Sequence, residues 1–308
     1  MKVLITGATG FVGPYLIDHC TEHGDEVVDA GDATTGFDIA DRDSCFATFE
    51  RLQPDVVYHL AALSHVGDSW ADPTPCLRIN IEGTANVLDA SAKVDAQRVL
   101  LIGSSEEYGK VTDPTTPVKE DEPLRPLSPY GASKVAASYL GVQAFYARNL
   151  PVVRVRAFGH TGPGQSPKFV VPALAHRIAA AEKSGASEIV MGSLTPVRDL
   201  SDVRDVVRAY RLLLTTGEPG EVYNVGRGIG STIGDIAKSL IAVDGDARDR
   251  HRPRARPARR DAGPDRRHEQ DPCRDRLGTR ALPRRHPGVD ARSRPQRIGA
   301  SVVRQYDA

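Results

Sequence analysis

Lys2-Val3-Leu4-Ile5-Thr6-Gly7-Ala8-Thr9-Gly10-Phe11-Val12-Gly13 stands at the start of the chain and reads as a strand, a glycine turn and the start of a helix. Lys2 to Thr6 is a short apolar run of the kind buried inside a parallel sheet. The glycines that follow are spaced G-x-x-G-x-x-G. Gly7 permits the tight turn, Gly10 lets the backbone approach a pyrophosphate, and Gly13 lets helix and strand pack closely. The N-terminus of the helix, predicted from Phe11 to Glu22, offers free N–H groups and the positive end of its dipole to phosphate. Gly7, Gly10, Phe11, Val12 and Gly13 are therefore the candidate dinucleotide loop.

Outward from this loop, strand-like and helix-like stretches alternate. Glu26 to Ala30, Val56 to Tyr58, Arg98 to Ile102 and Val152 to Val155 read as strands; Ser44 to Leu52, Cys76 to Lys93 and Pro129 to Arg148 read as helices. Such alternation implies a parallel sheet with helices on both faces. Past Gly162 the pattern loosens into a helix near Val170 to Glu182, a strand near Glu188 to Met191, and helices near Val203 to Leu214 and Ile233 to Val243. Asp32 follows Gly13 by 19 residues, near the end of the second strand. An acid there accepts hydrogen bonds from ribose hydroxyls and repels a 2′-phosphate, which favours NAD over NADP. Asp29 competes for that role. Asp38 and Ile39 fit an adenine-contacting turn, and Leu60-Ala61-Ala62 supplies small, apolar residues for close cofactor approach.

The chain of 308 residues, 40% hydrophobic and 26% charged, suits one large α/β unit with a smaller appended domain. No apolar run approaches the ~18 residues of a membrane span. Met1 to Gly7 is too short for a signal peptide and meets the glycine motif at once, so a cytoplasmic location is expected. Cys20, Cys45, Cys76 and Cys273 show no paired spacing; they read as free thiols, with no metal site.

The zero net charge hides an asymmetry. Residues 245–308 hold 18 arginines, no lysine and 9 acids, whereas residues 1–244 hold 22 basic and 31 acidic groups. Only Leu277, Leu282, Val289, Ile298, Val302 and Val303 of that last segment are Leu, Ile, Val or Phe. Such a segment buries too little apolar surface to offset its chain entropy. It reads as a polyanion-binding tail, as a solvated tail, or as an out-of-frame translation of GC-rich DNA. The abrupt onset and the absence of lysine favour the last, and nucleic acid is not expected as a partner. The expected organisation is a dinucleotide-binding domain over 1–161, with 196–216 returning to it, an incomplete substrate domain over 162–244, and the aberrant tail over 245–308.

Ser128-Pro129-Tyr130-Gly131-Ala132-Ser133-Lys134 places Tyr130 and Lys134 on one face at a helix start. An ammonium beside a phenol favours phenolate, and so does the helix N-terminus, so the tyrosine pKa is expected below its usual ~10. Tyr130 is then a proton donor or acceptor. The strand Leu100 to Ile102 ends in Gly103-Ser104-Ser105-Glu106-Glu107-Tyr108-Gly109, at the carboxyl edge where doubly wound sheets hold ligands. Ser104 is placed to hydrogen-bond a reacting oxygen.

Across residues 1–244 the sequence resembles the extended short-chain dehydrogenase/reductase family, the NAD-dependent epimerase/dehydratases. The resemblance rests on GATGFVG, HLAA, Asn80 within NIEGTANVLDA, SSEEYG, SPYGASK, GPGQS and VRDLSDVRDVV. GSSEEYG, the GPGQS turn before Phe169-Val170, and the VRD and SDVRD stretches are most similar to the reductases of GDP-4-keto-6-deoxymannose.

The resemblance implies a Rossmann fold, that is, a doubly wound parallel sheet with a smaller C-terminal α/β substrate-binding domain. It implies Ser104, Tyr130 and Lys134 as catalytic residues, Asn80 on the cofactor side, and Ser105 and Glu106 facing the sugar. Phe169 begins a substrate-side helix, and Gly159 stands where the family carries a substrate-holding asparagine. Arg198 is expected on a diphosphate, which suits an arginine fork; a surface ion pair with Asp199 or Asp202 is the alternative. The implied reaction is reduction of a GDP-bound 4-keto sugar by NADH or NADPH. Glu106 leaves open a sugar-nucleotide 4,6-dehydratase or epimerase, and the tail leaves open cofactor binding without turnover. By the same analogy the chain is a homodimer through helices 76–93 and 129–148.

Overall fold

The computed structural model describes residues 1–28, 31, 36–114, 116–186 and 188–251, with side chains described as far as residue 242. Asp29, Asp32, Cys273 and the tail beyond residue 251 lie outside the described residues, and so do the expectations made for them.

Strand β1 (Lys2–Thr6) runs into the glycine turn and helix α1 (Gly13–Glu22) leaves it. The alternation continues through β2 (Glu26–Val28), α2 (Arg42–Leu52), β3 (Val56–His59), the short helices α3 (Val66–Ala71) and α4 (Pro73–Leu77), and a π turn (Arg78–Glu82). Next come α5 (Gly83–Lys93), β4 (Arg98–Ser104), a 3-10 turn (Ser105–Glu107), α6 (Pro129–Arg148) and β5 (Val152–Ala157). Beyond these lie β6 (Gly159–Thr161), α7 (Val170–Ser184), β7 (Val197–Asp202), α8 (Val203–Thr216), β8 (Val222–Val225), β9 (Gly230–Thr232) and α9 (Ile233–His251).

Six strands form one sheet in the order β2-β1-β3-β4-β5-β8, and every neighbouring pair is parallel. The side-chain period of two divides the apolar strands between two cores. Val3, Ile5, Tyr58, Leu100 and Val153 face Leu16 of α1 and Val206, Tyr210 and Leu214 of α8. Leu4, Val57, Val99 and Leu101 face Phe49 of α2, Val87 and Leu88 of α5, and Ala144 of α6. Each fully buried aliphatic side chain contributes about 1.5–3 kcal/mol. Helices on both faces of a parallel sheet make a doubly wound α/β fold of the Rossmann type. A second sheet, β6-β7-β9, pairs β6 with β7 in parallel and β7 with β9 antiparallel.

Two expectations about elements need correction. The helix expected over 76–93 is interrupted: Arg78–Glu82 is a π turn, and Thr84 Oγ1 donates to the Asn80 carbonyl at 2.6 Å. Residues 188–191 form no strand; Val190 is 88% exposed, so this stretch has no buried face to hold it in a sheet. The structure also adds β8, whose Val222-Tyr223-Asn224-Val225 pairs in register with Arg154 to Ala157.

Candidate active site

The sheet changes winding direction at β1 and β3, and the loops leaving their carboxyl ends abut. Gly7 has φ +74°, a left-handed conformation that suits glycine, and a Cβ there would lie 2.7 Å from the Ala61 backbone. A Cβ on Gly13 would lie 1.9 Å from the Ala8 carbonyl oxygen. The turn is thus closed around the absence of side chains, with the N-terminus of α1 opening from it. A dinucleotide pyrophosphate fits this cradle. Val12 stands at the N-cap position of α1 with no side-chain cap, and the Phe11 ring stacks on His160 with centroids 6.2 Å apart. Leu60 and Ala62 flank Ala61, whose N–H donates to Thr6 Oγ1. Asp38 accepts from the Ala40 N–H and closes a turn, while Ile39 is buried and gives its carbonyl to Asn86.

Asn80 ties this half to the next. It is 1% exposed; its Oδ1 accepts from the Leu63 N–H at 2.8 Å, and its Nδ2 donates to Ser133 Oγ of α6 at 2.9 Å. Ser128 caps α6 through the Gly131 N–H, and the Tyr130 N–H donates to Ser69 Oγ of α3. Tyr130 and Lys134 are both buried, and Lys134 Nζ donates to the Ile102 carbonyl at 2.8 Å. Ser104 ends β4, accepts the Glu106 N–H on its hydroxyl, and lies beside the Tyr130 phenol. Ser105 and Glu106 form the half-buried turn that follows. The sheet edge therefore brings Ser104, Glu106, Tyr130 and Lys134 together.

The electrostatics depart from the expectation drawn from Tyr-x-x-x-Lys. Burial pushes Tyr130 up to about 12, the Ser104 hydroxyl opposes the rise, and Glu107, Glu106 and Cys76 add to it. Burial brings Lys134 down to about 8. The low-dielectric site penalises both charges, so this arrangement keeps the proton on the phenol.

Sequence reasoning missed the layer beneath. Glu107 is fully buried, accepts the Ser104 N–H at 2.9 Å, and pairs with Arg156 at 3.0 Å. His59 lies between Thr6 Oγ1 at 2.7 Å and Thr84 Oγ1 at 2.9 Å. The available signal was polarity inside apolar strands: His59 ends Val56-Val57-Tyr58, and Arg156 interrupts Val152 to Ala157.

Val170, Leu174, Arg177, Met191, Arg198 and Ile233 line a cavity of about 310 Å³. Arg198 is exposed and donates to the Val197 carbonyl. Asp202 pairs with Arg204, and Asp199 accepts from the N–H groups of Arg227 and Gly228. Phe169 stands at the N-cap position of α7 and meets the His65 ring edge-on. Gly159 pairs with Leu200 in the small sheet, and a Cβ there would lie 2.8 Å from the Asp199 carbonyl oxygen. Close approach of β7 therefore accompanies glycine at this position.

Residues 3–226 match the model of the NAD dependent epimerase/dehydratase family. The chain belongs to that family. Among curated epimerase/dehydratase relatives, it is 34% identical to the GDP-6-deoxy-D-mannose reductase of Pseudomonas aeruginosa, over 79% of this chain and 80% of that one. It is 31% identical to the dTDP-glucose 4,6-dehydratase of Streptomyces griseus, over 79% and 78% of the two chains. The solved structure of RMD from Pseudomonas aeruginosa complexed with NADPH superposes with a TM-score of 0.72 at 32% identity, covering 79% of this chain and 82% of that one. Among the described residues, no helix is long and apolar enough to cross a membrane, and no three His, Cys, Asp or Glu side chains gather as metal ligands. Cys20, Cys45 and Cys76 are free and buried.

Proposed function

We propose that this member of the family is a nicotinamide-dependent reductase that converts the C4 ketone of GDP-4-keto-6-deoxy-D-mannose to the alcohol of GDP-D-rhamnose. The observation that carries the reading is the buried Tyr130 phenol set against the Ser104 hydroxyl at the carboxyl end of β4. Reduction of a ketone consumes a proton, and a protonated donor at the sheet edge suits that direction.

Gly7, Gly10, Gly13, Leu60, Ala61 and Asn80 would hold the cofactor, with Asp32 selecting NADH over NADPH. When bound, the nicotinamide supplies the hydride for C4. Ser104 hydrogen-bonds the ketone oxygen and orients it. Tyr130 gives its proton to the oxygen as the alkoxide forms, and solvent later restores it. Lys134, one helical turn along and bonded to the Ile102 carbonyl, would supply positive charge on the same helix face and steady the developing negative charge. Arg198 and Arg177, at the rim of the 310 Å³ cavity, suit a nucleotide diphosphate. Tyr139 and Tyr146, 61% and 77% exposed and seven residues apart on α6, support a homodimer through this helix and α5.

A dehydratase is the second reading, favoured by Glu106 beside Tyr130 as a base for sugar C5. The test follows NADH and NADPH absorbance with GDP-4-keto-6-deoxymannose, beside an incubation with GDP-mannose alone. Oxidation with the keto sugar, lost in Tyr130→Phe, is expected. A keto sugar formed from GDP-mannose, with no oxidation in the first arm, would replace reductase by dehydratase. Cofactor binding with silence in both arms would leave a binding protein without turnover.

A further inference from the structure

Beneath Ser104 lies a carboxylate that the reaction as written does not use. Glu107 is fully buried, and both its oxygens are engaged: Oε1 accepts the Ser104 N–H at 2.9 Å, and Oε2 accepts Arg156 Nε at 3.0 Å. Arg156, 5% exposed, continues the network. Its Nη1 donates to the Tyr108 hydroxyl at 3.0 Å and the Glu120 carbonyl at 2.8 Å, and its guanidinium stacks over the Tyr108 ring. Tyr108 donates to Asn224 Oδ1 of β8 at 2.6 Å. A Cβ on Gly103 would lie 2.1 Å from Glu107 Oε1, so β4 carries glycine where this carboxylate crosses it. Four segments (the end of β4, β5, residue 120 and β8) thus meet on one ion pair. Burying two charges costs several kcal/mol per ion.

We propose that Glu107 is a positioning residue for the proton-donating step: it clamps Ser104 from beneath through the backbone amide and sets a buried negative charge behind Tyr130. The inference rests on the reductase reading for the direction of proton flow. The groups facing Tyr130 are Ser104, Glu106 and Glu107 from the strand end and its turn, Cys76 from α4, Ser69 from α3 and Tyr210 from α8, while Lys134, one helical turn along α6, gives its Nζ to the Ile102 carbonyl. Glu107 is the one joined to the Ser104 amide, so one side chain both fixes that backbone and adds to the rise that burial imposes on the phenol. It also acts on Lys134, where its charge favours the ammonium.

Two substitutions separate the roles. Glu107→Gln keeps an acceptor for Ser104 and removes the charge; Glu107→Met removes both. Each is also made with Arg156→Met, so that no unpaired guanidinium is left buried. The first readout needs no sugar substrate: the tyrosinate absorbance of the NADH-free protein is titrated as the difference from the matching Tyr130→Phe variant. Glu107→Gln is expected to move the Tyr130 transition to lower pH by on the order of one unit. The second is kcat with the keto sugar and NADH. Glu107→Met is expected to lower kcat by about 10²-fold, the scale of a misplaced catalytic group, with the NADH dissociation constant unchanged. An unmoved Tyr130 transition in Glu107→Gln, or an unchanged kcat in Glu107→Met, would overturn the proposal. If the parent protein reduces no keto sugar, the reductase reading fails, while the absorbance titration still decides whether Glu107 governs Tyr130.

Discussion

Mild acid is expected to loosen this protein through His59. The residue is 2% exposed and sits in a polarised chain of hydrogen bonds. The Ala61 N–H donates to Thr6 Oγ1, and the Thr6 hydroxyl faces His59 Nδ1 at 2.7 Å. His59 Nε2 meets Thr84 Oγ1 at 2.9 Å, and the Thr84 hydroxyl is committed to the Asn80 carbonyl. Because Thr84 must accept from the ring, these partners assign the neutral tautomer with its proton on Nε2. A second proton on Nδ1 would have to displace the one Thr6 donates. Burial, aided by the nearby Lys134 charge, holds the imidazole down at about 3, against 6.5 for an unperturbed histidine. Below 6.5 the unfolded chain binds a proton that the folded chain refuses. This stabilisation is therefore complete above 6.5 and is lost as the pH falls toward 3. The slope is about 1.4 kcal/mol per pH unit, so acidification to about pH 5 removes about 2 kcal/mol through this group. Urea unfolding at both pH values, for the parent and for His59→Gln, checks it. Glutamine offers a donor and an acceptor without titrating, so the variant should lack this part of the acid sensitivity. Equal losses in the two proteins would refute the reasoning.

Gly10→Ala and Gly13→Ala should behave differently. An added Cβ lies 3.2 Å from the Gly7 carbonyl in the first and 1.9 Å from the Ala8 carbonyl in the second. Thermal unfolding should show Gly13→Ala destabilised by about 1–3 kcal/mol and Gly10→Ala nearly unchanged, while NADH titration shows weaker binding in both. Lys134→Met should be inactive yet more stable. Burial holds Lys134 at about 8 against 10.5, so the cost of charging it is fully present below 8 and fades as the pH rises to 10.5. Denaturant unfolding near neutral pH should show a gain of up to about 3 kcal/mol, shrinking in alkali. Asn80→Ala should cost about 1–3 kcal/mol by removing the hydrogen bonds that the buried Asn80 amide makes to Leu63 and to the buried Ser133 hydroxyl, read from the denaturation midpoint.

The fold was legible wherever one period ruled a whole element. Lys2 to Thr6, Arg98 to Ile102 and Pro129 to Arg148 carry unbroken apolar patterns, and each appears within two residues of its expected bounds. The strand at Val222 to Val225 escaped because four residues after a Gly-Glu-Pro-Gly turn carry too little periodicity; its position comes from pairing with β5. Glu188 to Met191 failed for the opposite reason, since an apolar pair suggests a strand only if something covers it. In the candidate site, the placement of Ser104, Tyr130 and Lys134 was legible because they sit at fixed spacing on one helix and at one strand end. Their protonation was not, because it depends on burial and on Glu107, a neighbour set by the turn after β4. Arg156 acquires its meaning only when β5 is laid beside β4.

The π turn at Arg78–Glu82 has a consequence for engineering. One residue more than an α-helix needs is housed there, and a single residue advances a helix by about 100°. Pro73–Leu77 and Gly83–Lys93 therefore present faces that no uninterrupted helix could combine, and Asn80 is rotated inward between Leu63 and Ser133. Deleting one residue from this turn would leave a smoother helix with higher intrinsic propensity and the wrong phase. The local geometry would improve while Asn80 swung away from both partners, so the irregularity acts as a phase shifter between two surfaces.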